Sequence, residues 1–258
     1  MSTNPTPPSA TPTALDLDAI RADFIRQRGY WRPWTETLLQ EHPRLVEAYA
    51  RYAGHPAAHG PLSERQIELI YIALDTSGSH LFEPGLRTHM ARALAVGVRP
   101  AEVFEVLHLV AAQGLDGVTQ GAALLAALMA EPVAERSAEP LAEPCDETPG
   151  ARADDALAAL RHLDPAYAQA VQDFLQLPGP PGGLSPDDRG LIRVALAACF
   201  TAHHPGALRH HLQQGLQAGL TPAALLQAIQ LGAHLAVHGT ALGAQVYATL
   251  THKKETQP

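Results

Sequence analysis

Apolar residues along this chain recur at the three- and four-residue spacing of helices, while alternation by two, the mark of a half-buried strand, never persists. Ser63-Glu-Arg-Gln66 has the form of a capping box, and Ser185-Pro-Asp-Asp188 sets an N-cap before a proline at N1. Each predicts the start of an apolar helix, IELIYIALD in one case and GLIRVALAACF in the other. A break is predicted from Ser77 to Phe82 and from Thr201 to His204. The next helix opens near Pro84 or Pro205 and stops at Gly97 or Gly219, where glycine suits a left-handed C′ residue. Pro100 and Pro222 then take the N1 position of a third helix, with Thr221 a good N-cap. Upstream, TETLLQEHPRLVEAYARYA and LAALRHLDPAYAQAVQDFL predict one or two helices more. The predicted class is all-α.

The two series are one pattern written twice. A shift of 122 residues superposes Leu62–Ala122 on Leu184–Ala244 without a gap, and 18 of the 61 pairs are identical. Among them are Leu86/Leu208, Arg87/Arg209, His89/His211, Gly97/Gly219 and Pro100/Pro222. The pattern predicts two tandem helical-bundle repeats related by a pseudo-twofold axis, over 15–129 and 156–250. A Pro-, Glu- and Ala-rich stretch over 130–155 reads as a linker, and 1–14 and 251–258 read as disordered tails.

Composition narrows the partners. The chain has 258 residues, 46% hydrophobic and 17% charged, ample for a sizeable core. A net charge of −8 argues against nucleic acid, whose phosphates call for a basic face. No apolar run approaches the roughly 20 residues that cross a bilayer. The first residues lack the basic and apolar regions of a secretory signal, so no membrane association and a cytoplasmic location are expected. Cys145 and Cys199 are too far apart for a Cys-x-x-Cys pair and read as free thiols.

Histidines supply the candidate chemistry. His89 lies three residues after Leu86 and four before Ala93, which turns it to the apolar side of its helix. It is either a core histidine bonded to a neighbour or an acid/base group in a pocket. Arg87 points to a different face, as a surface ion pair or as a fork that clamps a carboxylate. His80 and Glu83 lie in the break, where they could supply an acid and a base, unless Glu83 simply complements the positive end of the helix. The second repeat offers His211, Arg209, His204 and His238. His234 and His238 share a helix face at i, i+4 but bring no carboxylate, so a polar face is favoured and neither metal nor cofactor is expected. Tyr30, Trp31 and Trp34 cluster ahead of the first repeat, most simply as an anchor for a subunit contact.

The order of these pieces resembles the carboxymuconolactone decarboxylase and alkylhydroperoxidase-D superfamily. The elements that carry the resemblance are an apolar helix, a short break, Leu-Arg-x-His opening the next helix and Gly-x-x-Pro launching a third, twice over. The resemblance implies an AhpD-like fold, assembly into homo-oligomers, and one of two chemistries. Thiol peroxidase members carry cysteines four and seven residues before the histidine, where this chain has Gly85 and Phe82, or Ala207 and His204. That activity therefore lacks its thiolates. The decarboxylase glutamate four residues before the histidine is likewise replaced by Gly85 or Ala207. Glu83 could substitute in the first repeat, but Pro205 is its counterpart in the second.

What the resemblance implies is a cofactor-free lyase or isomerase for a small carboxylated unsaturated ring or lactone of aromatic catabolism. On that reading Arg87 orients the substrate carboxylate, His89 stabilises or protonates the enolate, and His80 with Glu83 completes the relay. The first repeat would carry the site. The alternative is a non-catalytic ligand-binding or oligomer-forming protein of the same fold. A trimer or dimer of two-repeat chains is expected.

Overall fold

The structure is a computed structural model that describes residues 15–130, 153–202 and 204–255, the side chains of 153–156, 234 and 252–255 excepted. The first expected tail, residues 256–258 of the second, residues 131–152 of the linker with Cys145, and His203 lie outside the described residues, as does the side chain of His234, whereas 251–255, expected in the tail, close the last helix and 153–155, expected in the linker, open another. The described residues are helical and contain no strand. In chain order the helices are α1 (Leu17–Arg28), α2 (Pro33–Glu41), α3 (Pro43–His59), α4 (Glu64–Thr76), α5 (Glu83–Ala95), α6 (Pro100–Gln113) and α7 (Leu115–Ala130). There follow α8 (Ala153–Leu163), α9 (Pro165–Leu175), α10 (Pro186–Ala198), α11 (Pro205–Gln217), α12 (Pro222–Ala233), a short 3-10 turn (His234–Ala236) and α13 (Val237–Glu255).

Local chemistry sets the helix ends. Ser63 and Ser185 cap α4 and α10, and each accepts the backbone N–H three residues on, from Gln66 (3.3 Å) and Asp188 (3.1 Å). The side chains of Gln66 and Asp188 return the bond to the cap's own N–H, closing both capping boxes. Helices α5 and α11 end before Gly97 and Gly219, whose φ values of 87° and 93° suit glycine alone. The N–H groups of Val98 and Leu220 then reach back to the carbonyls of Ala93 and Gly215 (2.9 Å each), the six-to-one bond of a Schellman ending. The starts and ends of α4 and α5 recur in α10 and α11 at the offset of 122, and so does the start of α6 in α12.

The described chain forms two compact units, His55–Ala236 and the remainder up to Gly54 and from Val237. In the larger unit, α4 and α10 are its central helices, packed on each other and on α5, α6, α11 and α12. Every residue of α4 from Ile67 to Asp75 is buried. A helix buried all round belongs to a core, and Leu69, Ile70, Ile72 and Leu74 meet Leu191, Ile192 and Leu231 there.

Polar pins hold this core at equivalent places. Glu105 on α6 accepts the backbone N–H of Leu184 (2.6 Å), and Gln227 on α12 accepts that of Leu62 (2.7 Å). Both members of the first pair stand 122 residues from their counterparts in the second. A Cβ on Gly60 would lie 1.9 Å from Gln227 Cδ, and one on Gly183 would lie 2.2 Å from Glu105 Oε2. Glycine at these positions is what lets the backbone come close enough to bond.

Also in the larger unit, α7 packs on α8, and Ala122, Leu160, Ala168 and Val171 form a second small core. In the smaller unit α13 packs on α2, burying Val237, Ala241 and Ala244 with Phe24, Trp34, Leu39, Val46 and Tyr49. Trp34 is buried there among Phe24, Tyr30 and Tyr49 rings, and Trp31 is partly buried with its Nε1–H donated to Glu36 (3.1 Å). The aromatic cluster expected to anchor a subunit contact is thus largely spent inside its own unit.

Candidate active site

Among the nine buried positions of α4 are two carboxylates and a tyrosine, Glu68, Tyr71 and Asp75. Their spacing of i, i+3 and i+7 puts all three on one face of the helix. Buried carboxylates are stable only when paired or protonated, and a histidine approaches each of them. His89, on α5, donates its Nδ1–H to Glu68 Oε2 at 2.7 Å. Its ring lies against Tyr71, with centroids 4.3 Å apart. The guanidinium of Arg92, one turn further along α5, reaches within 3.9 Å of Glu68 Oε1. His80, in the break before α5, brings Nε2 to 3.7 Å from Asp75 Oδ1. Burial, reinforced by the nearby Glu68 charge, pushes the Asp75 carboxyl up to about 7, and burial pulls His80 below the usual histidine range.

The remaining expected residues are placed elsewhere. Glu83 and Arg87 form an exposed ion pair one turn apart on α5, with Arg87 Nε donating to Glu83 Oε1 at 2.8 Å. The carboxylate that His89 meets is therefore Glu68, not Glu83, and the fork of Arg87 is occupied. The reason is geometric: Glu83 and Arg87 share the solvent face of α5, whereas His89 is turned toward α4.

The positions 122 residues on do not hold a matching set. At the offset of 122, Glu68, Tyr71 and Asp75 become Gly190, Arg193 and Ala197. His211 has no carboxylate there, and its buried Nδ1 makes no hydrogen bond. Burial, then the positive neighbours His210 and Arg193, push His211 down to about 4, against a hydrogen bond with Gln214. His204 is committed as the N-cap of α11, its Nδ1 accepting Ala207 N–H at 3.0 Å. Arg209 is exposed on α11, and His238 lies at the start of α13 in the smaller unit. Cys199 is buried at the end of α10, with Sγ 3.3 Å from Thr201 Oγ1.

These titrations have a consequence for stability. Unfolding returns His211 to its ordinary 6.5, so between pH 6.5 and about 4 the unfolded chain binds more protons. The contribution is fully present above pH 6.5 and is lost as pH falls through 4, by up to about 3 kcal/mol. His211→Leu should therefore narrow the gap between urea midpoints measured at pH 7 and pH 4.5. An unchanged gap would show that His211 does not limit acid stability. His204, His210 and Arg193 are the charged groups around it.

A polar cleft of about 530 Å³ lies at the N-terminal ends of α4 and α10, lined by Ser63, Arg65, Arg99, Glu102, Ser185 and Asp188 among others. Its charges satisfy one another, since Arg65 bridges Glu102 and Asp188 (2.9 Å to Asp188). Burial would raise Glu102, but the hydrogen bonds from Arg99 and Arg65 hold it down at about 2. The cleft is a structural ion-pair network.

Glu68, Tyr71 and Asp75 had a signal in the sequence. They are the polar positions at i, i+3 and i+7 in a helix otherwise apolar all round, and only a demand beyond packing keeps carboxylates there.

Comparison with known proteins bears on the helical fold. The carboxymuconolactone decarboxylase family model matches residues 43–128, which takes in α3 to α6 and nearly all of α7. A solved structure from Burkholderia xenovorans LB400, described as a candidate γ-carboxymuconolactone decarboxylase subunit, is similar with a TM-score of 0.76 and 26% identity. The match covers 93% of this chain and 99% of that one, so the likeness extends over both halves. No curated protein matches significantly. Residues 43–128 thus carry the carboxymuconolactone decarboxylase pattern, and the described residues have the all-α, AhpD-like fold that this solved structure shares. No helix among the described residues is long and apolar enough to cross a membrane.

Proposed function

We propose that this protein is a cofactor-free carbon–carbon lyase or isomerase for a small carboxylated, unsaturated ring or lactone, with Glu68 and His89 as its proton-transfer centre. The observation that carries the reading is the buried Glu68 carboxylate bonded to His89 Nδ1 at 2.7 Å. Such a bond fixes the tautomer and steadies the imidazolium, so proton exchange with a bound molecule falls to Nε2. In a decarboxylation the bond to CO2 breaks and its electron pair enters a dienolate. The enzyme must neutralise that charge and return a proton to carbon. Arg92, the guanidinium nearest the pair, takes the carboxylate-orienting role expected of Arg87. The test is turnover of γ-carboxymuconolactone by the purified chain, followed as CO2 release. Ligand binding without turnover would favour the alternative of a non-catalytic binder, which the loss of the acid/base set in the second repeat keeps in view.

We also propose that the chain assembles as a homo-oligomer. Leu242, Val246 and Leu250 stand four residues apart along α13 and are at least half exposed, as are Leu124, Leu125 and Met129 on α7. Contiguous apolar stripes of this kind are uncommon on monomers. Sedimentation at micromolar concentration should give a dimer or trimer of the 27.4 kDa chain, and a clean monomer would count against it.

A further inference from the structure

Asp75 is unlike the other buried carboxylates of the core. Glu68, Glu102, Glu105 and Asp188 all hold hydrogen bonds from cations or backbone N–H groups. Asp75 is 2% exposed, its Oδ2 has no hydrogen-bond partner, and Oδ1 faces His80 Nε2 at 3.7 Å. On the side of α5, Oδ2 is approached by the backbone of Gly85. A Cβ at position 85 would lie 2.4 Å from Oδ2 and 2.7 Å from the Phe82 ring. Gly85 is therefore glycine because the Asp75 carboxyl fills the space that a side chain on α5 would use. An ionised oxygen left unbonded in such a place is costly, whereas the neutral acid tolerates it. Natural selection for packing alone would put an apolar residue at 75, as the alanine at position 197 does in the second repeat.

Resting on the lyase reading, we infer that Asp75 and His80 form the acid half of the site, with Asp75 a positioning residue that stores a proton and delivers it through His80. His80 hands the proton on its Nδ1 to the dienolate carbon, breaking N–H and forming C–H with the dienolate electron pair. The Asp75 proton moves to His80 Nε2 in the same event, which leaves the imidazole neutral and Asp75 ionised. His80 Nε2 then returns its proton to Asp75 as Nδ1 takes one from water, which restores the starting tautomer and closes the cycle with no other reactant. Glu68, two turns away on the same face of α4, and its partner His89 on α5 form the other half. Two carboxyl groups in one site, one neutral and one charged, are what separates an acid from a base at a single pH.

The test uses the full chain with γ-carboxymuconolactone as the probe, and compares Asp75→Asn with Asp75→Ala. Asn keeps the shape but carries no transferable proton, so both variants should lose kcat by about 100-fold with KM nearly unchanged. Infrared spectra at pH 6 should show the carbonyl stretch of a buried carboxylic acid in the wild type and not in Asp75→Asn. Full activity restored by Asn would make Asp75 structural and overturn the inference, as would the absence of the acid band. A wild type with no turnover at all, but with the acid band present, would sink the lyase reading and Asp75's relay role with it. A wild type that turns over while Asp75→Asn matches it would sink the relay alone.

Discussion

Alanine at His89 is expected to lower turnover of the carboxylated substrate by about 100- to 10,000-fold, the usual worth of a positioned acid/base group. The same change at His211 should leave turnover within a few fold and be felt in stability. The asymmetry follows from what surrounds two histidines that stand 122 residues apart at the same place in their helices. His89 has a buried carboxylate on Nδ1, a tyrosine ring at its face and a guanidinium near that carboxylate. His211 has a buried Nδ1 without a partner and cations for neighbours, which keep it neutral far below physiological pH. Glu68→Gln should go with His89→Ala, because an uncharged amide cannot steady the imidazolium. Steady-state kinetics on the three variants, with circular dichroism to establish folding, decides the matter. Equal losses from His89→Ala and His211→Ala in folded protein would mean a shared or duplicated site.

Arg65→Met should cost about 3 kcal/mol of folding stability, at the lower end for breaking a buried ion pair because Arg65 itself is 30% exposed. Its guanidinium bonds to Glu102 and Asp188, one following each repeat's helix opening, and both carboxylates are almost fully buried. Methionine keeps the aliphatic bulk and strands the two charges. Adding Glu102→Gln and Asp188→Asn should recover part of the loss, since unpaired amides cost less to bury than unpaired carboxylates. Urea unfolding at pH 7 is the measurement. A midpoint for Arg65→Met within experimental error of the wild type would show that the network adds nothing to the fold.

Much of the helical frame was legible because it is decided within a few residues. The capping boxes at Ser63 and Ser185, the left-handed glycines 97 and 219, and the prolines opening α6 and α12 each act on their own turn of backbone. The 122-residue offset was legible for a related reason, since helix bounds follow the caps. His89 was also marked correctly as turned to the apolar side of α5. What surrounds it was not, because sequence spacing on α5 made Glu83 the nearest acid and α4 read only as an apolar run.

The sequence by itself determined the helical class, the resemblance, the ends of the central helices and the absence of cysteines at the family's thiol positions. Each is a matter of periodicity, capping chemistry or residue identity, and needs no knowledge of neighbours. Only the tertiary structure decided which groups meet. It paired Glu83 with Arg87 in solvent, brought Glu68 across from α4 to His89, and filled the gap beside Gly85 with the carboxyl of Asp75. These contacts join residues 4, 21 and 10 positions apart, and the last two depend on how α4 and α5 are rotated against each other in the packed core. Burial then gave the same residue types different chemistry, holding the Asp75 proton near neutrality and stripping one from His211, because the cost of a charge depends on what replaces the water around it.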